Sequence, residues 1–354
     1  MAHVALNQTE LLAVLDACLA DDDLHTVRVR IDALRALVAA MAQMSDVDSV
    51  ANGVVGFRQD VLLADLDQIL ATRTLQRTQY YIARLKKAAT ERRTSGVNDI
   101  DLNRWKEYDE VITDSLWVME RRDNSGAHKA WYWGNFIPQI PHQMLLRYTQ
   151  RGDWVLDPFV GSGTTLIECL RLRRNGIGVE LNPEIAARAR DIVAEAENPH
   201  QAVAEIVEGD STTVDYAPVL AAHGIEQVQL VLMHPPYHDI IRFSDDARDL
   251  SNAGSVDAFV AQFSDIVART SPILEDGRYL AIVIGDKYVK GTWIPLGFHV
   301  MQAVIDQGYT LKSIVVKNFD ETRAKREQKA LWRYRALVGG FYVFKHEYIL
   351  VFRK

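Results

Sequence analysis

The chain has 354 residues, 48% apolar and 25% charged, enough for a catalytic domain of about 200–250 residues and a smaller companion. Its net charge of −7 weighs mildly against nucleic acid as a partner, although phosphate binding needs local rather than total positive potential. Two distant cysteines, Cys18 and Cys169, argue against a disulfide framework or zinc site, and no apolar run approaches the roughly 20 residues of a bilayer span. The first residues, MAHVALNQTELL, lack the basic-then-apolar order of a signal peptide, so a cytoplasmic protein with neither metal nor membrane partner is expected.

Residues 1–95 read as helical. Leu11, Leu12, Leu15, Cys18 and Leu19 fall at helical spacing, as do Val27, Ile31, Leu34, Val38 and Met41. A third stripe runs Val61, Leu62, Leu66, Ile69 and Leu70, and a fourth includes Tyr81, Ile82 and Leu85. No strand signal interrupts them, which predicts an all-helical N-terminal domain over 1–95 with each stripe buried in a small bundle. Neither an internal repeat nor a low-complexity tract is apparent. The polar stretch 91–103, ERRTSGVNDIDLN, carries turn signals and opens a linker and lead-in over 96–130.

From residue 131 a catalytic domain is expected to run to 354. Beyond 150 short β-rich runs alternate with helical patterns: WVLDPF, a helix near 164–174, GIGVEL, a helix near 183–196, AEIVEGD, VQLVLMHPPY, a helix near 255–271, and YLAIVIGD. Such alternation predicts an α/β, doubly wound, largely parallel sheet. The last two runs, LKSIVVKN and VFKHEYILVFRK, are expected to pair antiparallel as a closing hairpin.

The first of these strands ends in Asp157-Pro158-Phe159-Val160-Gly161-Ser162-Gly163-Thr164-Thr165. Gly161 and Gly163 allow a sharp turn whose N–H groups come close to a ligand. The loop lacks the third glycine of the dinucleotide fingerprint and any Lys-Ser/Thr pair for a triphosphate. Glu180 ends the second strand, where a carboxylate can accept from both hydroxyls of a ribose; a helix cap or a solvated acid is the plainer alternative. Asp210, ending the third, is placed to accept from an adenine amino group, although Asp after Gly is also a common turn.

The fourth strand leads into His234-Pro235-Pro236-Tyr237. Two prolines remove two N–H donors and hold the chain extended, freeing the Pro235 carbonyl to face a cleft. A planar base amino group needs acceptors for its hydrogens and an aromatic face to stack on. The carbonyl and His234 supply the first, Tyr237 the second.

DPFVGSGTT, then GVEL, then HPPY, in that order, resembles the DNA amino-methyltransferases that modify adenine at N6 or cytosine at N4. The resemblance covers roughly 131–354 and takes in NFIPQIP at 135–141, similar to the segment that folds over the methionine end of S-adenosylmethionine. It implies a seven-stranded, mostly parallel sheet with an antiparallel last strand. It implies cofactor contacts at Phe136, Asp157, Gly161, Gly163, Thr165, Glu180 and Asp210, with Phe159, Ser162 and Thr164 in the same loop. Target-base contacts are implied at His234, Pro235 and Tyr237, with Pro236 completing the motif. A flipped-out base would be methylated by direct in-line transfer, and the absence of a Pro-Cys nucleophile agrees with a reaction free of covalent enzyme intermediates.

One residue departs from the pattern. The family has Asp, Asn or Ser where this chain has His234, so the usual distinction between adenine and cytosine is lost, and the motif order leans only weakly to adenine. A neutral imidazole accepts one hydrogen bond and a protonated one none, so activity is expected to collapse at mildly acidic pH. An RNA or protein amino-methyltransferase, or a module that binds base and cofactor with little turnover, stays open.

Double-stranded DNA is the expected partner. Its phosphates are assigned to Arg242, Lys287 and the basic 317–335 segment with Arg323, Lys325, Arg326 and Lys329, where Trp332 and Tyr334 interleave. His238, Asp239 and Phe243 are candidates for the target pocket, and Gly285-Asp286-Lys287-Tyr288 reads as a turn at the cleft edge or a base-contacting loop. His346-Glu347 reads as structural within its strand. The N-terminal domain is where a homodimer or a restriction or defence partner would attach.

Overall fold

The computed structural model describes residues 2–43, 53–318 and 329–354. Two compact units emerge: Met1–Gly96 with Ile100–Glu110, and Val97–Asp99 with Val111–Lys354. Residues 111–130, within the stretch read as lead-in, therefore pack with the second unit.

Among the described residues the first unit holds four α-helices, α1 (Gln8–Leu19), α2 (Leu24–Ala40), α3 (Gln59–Leu70) and α4 (Leu75–Thr90), and a 3-10 turn at Leu102–Glu107. Asn7, Asp23 and Thr74 cap α1, α2 and α4, each side chain accepting from an N–H of the first turn. The apolar stripes face one core in which Leu15, Ile31, Leu66 and Ile82 are fully buried. The unit is not all-helical. Strands β1 (His3–Asn7) and β2 (Val54–Arg58) pair antiparallel, with Ala5 opposite Gly56. Five residues are too few to show a clear period, and each strand finds its partner about fifty positions away.

Nor is the unit free of repetition. Its order is β-α-α twice, and residues 51 positions apart occupy equivalent places. Leu11 and Leu62, Leu15 and Leu66, Ile31 and Ile82, and Leu34 and Leu85 are identical pairs, and all eight residues are buried. Contacts repeat by the same shift. Gln8 Nε2 donates to the Ala89 carbonyl at 2.7 Å and Gln59 Nε2 to the Val38 carbonyl at 2.9 Å. Lys86 pairs with Asp16, and Arg35 with Asp67. The halves are thus related by a pseudo-twofold axis through the Ala5–Gly56 pair. Each βαα half buries its apolar stripe against the other, as protomers do across an isologous interface.

In the second unit an eight-stranded sheet has the order β3-β11-β12-β8-β7-β4-β5-β6. The strands are β3 (Leu116–Trp117), β4 (Trp154–Asp157), β5 (Asn175–Glu180), β6 (Ala204–Glu208), β7 (Val228–Met233), β8 (Leu274–Ile284), β11 (Thr310–Asn318) and β12 (His346–Arg353). A separate hairpin joins β9 (Lys287–Val289) to β10 (Thr292–Ile294). The expected seven strands become eight because two-residue β3 pairs in parallel with β11 at the edge, and so short a strand leaves no pattern in sequence. The closing pair is antiparallel as expected: β12 lies antiparallel to both β8 and β11.

Alternation in the buried strands serves both faces of the sheet. Leu156, Val231 and Met233 pack with α9 (Val256–Thr270) and α10 (Leu296–Asp306), through Phe259, Phe263 and Val300. Val155, Leu230 and Leu232 pack on the other face with α5 (Gln139–Tyr148), through Ile140, Met144 and Leu145. Helices α6 (Thr164–Arg171) and α7 (Pro183–Ala194) build a further cluster around Leu166, Ala186 and Ala189. The short α8 (Tyr216–Ala221) and α11 (Lys329–Gly339) complete the described helices. None among the described residues is long and apolar enough to cross a membrane.

The topology fixes where a ligand can sit. From β4 the chain steps outward to β5 and β6, then returns to place β7 on the other flank of β4. That reversal opens a crevice beyond the carboxyl ends of β4 and β7, the usual ligand position in doubly wound sheets.

Candidate active site

A cavity of about 1300 Å³ occupies this crevice. Its wall includes Phe136, Phe159, Gly161, Glu180, Asp210, His234, Pro235, Pro236, Tyr237 and Lys287 of the residues expected from sequence.

The loop after β4 is held from within. Asp157 is fully buried; one carboxylate oxygen accepts from the Phe159 N–H at 2.9 Å and the other from Thr165 Oγ1 at 2.5 Å. Burial pushes its pKa up to about 7, against the pull of those two bonds. Asp157 and Thr165 therefore brace the loop, and neither lines the cavity. Gly161 and Gly163 have φ of +50° and +84°, the left-handed region that favours glycine. A Cβ on Gly163 would also come within 2.6 Å of Val193 Cγ2. Ser162 Oγ donates to Asn135 Oδ1 at 2.6 Å, tying the loop to the segment before α5, and Thr164 opens α6 beneath it.

Glu180 accepts from the Gly161 N–H at 3.1 Å and the Asn182 N–H at 2.9 Å, one per oxygen, and burial raises its pKa. Each oxygen keeps a second lone pair for a ligand hydroxyl. Asp210 accepts from the Thr212 N–H and hydroxyl through Oδ1, so Oδ2 is the oxygen left for a ligand.

Beyond β7, four side chains form one chain of contacts. Lys317 Nζ donates to Glu347 Oε1 at 2.8 Å, Tyr237 O–H donates to Glu347 Oε2 at 2.8 Å, and His234 Nε2 lies 3.2 Å from the Tyr237 oxygen. Burial, then the adjacent carboxylate, push the Tyr237 hydroxyl well above its ordinary pKa, so it stays protonated and its proton goes to Glu347. The tyrosine oxygen can then only accept from His234. The imidazole therefore carries its proton on Nε2, which leaves Nδ1 as its acceptor. The Phe136 ring packs 4.8 Å from the imidazole.

His234 is only half-buried, yet desolvation by the surrounding protein lowers its pKa to about 4; Glu347 pulls it up and Lys317 adds to the lowering. This corrects the expectation of collapse at mildly acidic pH, since the ring stays neutral well below its ordinary value.

Sequence reasoning read Glu347 as structural and did not single out Lys317, because β11 and β12 reach the cavity only once the hairpin closes. It also passed over Arg122 and Trp131, and took in Asn135 only as part of the 135–141 segment; all three line the same cavity. Arg122 Nη1 donates to the Phe136 carbonyl at 2.7 Å. Its Nε and Nη2, Trp131 Nε1 and Asn135 Nδ2 are buried without partners among the described residues. Unpartnered buried donors on residues that line a cavity fit an anionic ligand group such as a carboxylate. Beneath the loop, Glu168 accepts from His128 at 2.6 Å and His142 at 2.7 Å and pairs with Arg171 at 2.8 Å. Burial pushes the Glu168 carboxyl up, but these partners outweigh it and hold its pKa at about 2.

The expected phosphate contacts fare differently. Lys287 is buried, its ammonium bonded to Asp239 and, at 2.7 Å, to His238 Nδ1, so its charge is compensated internally. Arg242 is exposed and pairs with Asp245 at 3.0 Å. Arg323, Lys325 and Arg326 lie outside the described residues, as does the side chain of Lys329. Trp332 lines the cavity rim, and Tyr334 is exposed on α11. Among the described residues no group of three or more His, Cys, Asp or Glu is arranged to hold a metal.

Residues 71–195 match a family model described as DNA methylase. Over 52 residues, 15% of the chain, it is 46% identical to Type II methyltransferase M.MjaII of Methanocaldococcus jannaschii, covering 10% of that protein. Over 77 residues, 22% of the chain, it is 38% identical to Type II methyltransferase M.XycI of Xanthomonas campestris pv. cyanopsidis, covering 24% of that protein. The aligned regions thus span about a quarter or less of these relatives' lengths. TrmN from Thermus thermophilus is similar in structure at a TM-score of 0.41 and 15% identity, over 63% of this chain and 50% of that one.

Proposed function

We propose, from the match of residues 71–195 to the DNA methylase family, that the chain methylates the exocyclic amino group of adenine or cytosine in DNA, with S-adenosylmethionine as cofactor. The observation that carries this reading is one cavity holding both sets of groups. Glu180, Asp210, Arg122 and Asn135 line it together with His234, Pro235 and Tyr237, and donors of Arg122 and Asn135 have no partner among the described residues.

Glu180 would take the ribose hydroxyls, Asp210 Oδ2 the adenine amino group, and Arg122 with Asn135 the carboxylate of the methionine moiety. When bound, the cofactor supplies an electrophilic methyl group. The chain's own residues prepare the nucleophile. Nδ1 of His234 and the Pro235 carbonyl accept the two amino hydrogens, drawing the nitrogen lone pair out of conjugation with the ring. Tyr237 offers its face to the base while its hydroxyl, tied to Glu347, keeps the imidazole in the accepting tautomer. A base in a duplex reaches these groups only after leaving the stack.

Transfer of tritiated methyl from labelled cofactor to duplex DNA, RNA and protein tests the reading. Label in DNA at adenine N6 or cytosine N4 supports it, and label confined to RNA or protein rejects it. His234→Asp, which restores an acceptor of the family type, is expected to keep label transfer; complete loss would count against the acceptor role.

A further inference from the structure

The duplicated N-terminal unit allows each residue of one copy to be compared with its equivalent 51 positions away in the other. Four buried pairs are identical, and others such as Leu6/Phe57 and Cys18/Ile69 stay apolar, but one exposed stripe changes in charge. In the second copy it reads Arg77, Tyr80, Arg84 and Lys87 on α4, at helical spacings of three and four, with Arg73 just before the Thr74 cap, and all five are exposed. The first copy has Asp22, Thr26, Val29, Ala33 and Ala36 at the same places. Where one copy has an acid, a hydroxyl and two alanines, the other has four cations, in a chain whose net charge is −7.

The stripe is not consumed internally. The 16 residues of α4 contain no Asp or Glu, and the ion pair to Asp16 engages Lys86, outside the stripe. Arg77 lies 5.0 Å from the Tyr80 ring centre and 4.7 Å from that of Tyr81, and it donates to the Tyr81 hydroxyl at 2.8 Å. These contacts hold the guanidinium along the helix rather than letting it sweep through solvent. From Arg77 to Lys87 the helix rises about 15 Å, comparable with four to five base pairs at ~3.4 Å per nucleotide of one strand.

We propose that α4 is a phosphate-binding face for duplex DNA, made by divergence of one half of a fused, two-fold duplicated unit. Arg73, Arg77, Arg84 and Lys87 contact the backbone, while the first copy serves as the half that completes the core. The proposal rests on DNA being the substrate. Such contacts add affinity and register without reading sequence.

The test compares the full-length protein with Arg77→Thr/Arg84→Ala/Lys87→Ala, which carries the first copy's residues at exposed sites. A fluorescent duplex is titrated over a series of salt concentrations, and cofactor affinity and methyl transfer are measured in parallel. The variant should bind duplex at low salt on the order of tenfold more weakly, with the slope of log affinity against log salt reduced by about 2–3. Cofactor affinity should be unchanged, and the charge-keeping Arg77→Lys/Arg84→Lys/Lys87→Arg should bind like the parent. Equal affinity and equal slope in the first variant and the parent would overturn the proposal while leaving DNA methylation standing. A parent protein that neither binds duplex nor methylates it would overturn both.

Discussion

His234 acts through its environment more than through its identity. Its folded pKa of about 4 lies below the ordinary value of 6.5, so the folded state resists a proton that the unfolded state accepts. Its contribution to stability is therefore fully present above pH 6.5 and is lost as pH falls towards 4, by at most about 3 kcal/mol. His234→Asn should remove that part of the pH dependence, which denaturant unfolding at pH 7 and pH 5 would measure. The methylation rate should stay level from pH 7 to pH 5.5 if imidazole protonation alone sets the acid limb, and a midpoint near 6.5 would refute the desolvated, neutral ring. Arg122 offers a second check. Arg122→Ala should weaken cofactor binding by about 1.5–3 kcal/mol, the range for a hydrogen bond to a charged group. Calorimetry with S-adenosylhomocysteine would read this, and unchanged affinity would remove Arg122 from the carboxylate site.

At the scale of elements, the loop between β4 and α6 is constrained from several sides. Asp157 joins its two ends, Glu180 holds the Gly161 N–H, and Gly163 combines a left-handed φ with close approach to Val193. Gly163→Ala should cost about 1–3 kcal/mol through strain and overpacking, with cofactor affinity falling alongside. A thermal shift of under a degree would show that α6 and α7 can separate at no cost. The motif loops were legible in sequence because each lies within a few residues of one strand end. The relay from Lys317 to His234 was not, since its members come from β7, β11 and β12, and only strand order sets them side by side.

For the molecule as a whole, the two units differ in what organises them. The second unit is built around a topological switch point, the N-terminal unit around an internal twofold axis. That symmetry predicts matched energetics. Gln8→Ala and Gln59→Ala each remove a side-chain bond to the end of an opposite helix, worth about 1 kcal/mol apiece, and Gln59→Ala should cost about 1 kcal/mol more because Gln59 also accepts from Gln43 at 2.9 Å. Unfolding curves of the two single variants would check this, and a Gln8→Ala cost of zero, or a difference of several kcal/mol, would deny the equivalence of the halves.

By itself the sequence determined the alternating α/β unit, its antiparallel closing strand and the two loops that meet in the crevice. Strand and helix periods, glycine and proline act over a few residues and leave their mark locally. Tertiary structure decided the rest: an eighth strand of two residues, the β1–β2 pair, and the carboxylate and lysine behind Tyr237. It also decided that Lys287 spends its charge on Asp239 and that His234 resists protonation. The duplication lay in the sequence all along, but scattered identities at a distance of 51 carry little weight until paired contacts repeat with them. Partner choice and desolvation depend on groups far apart along the chain, and folding alone brings these together.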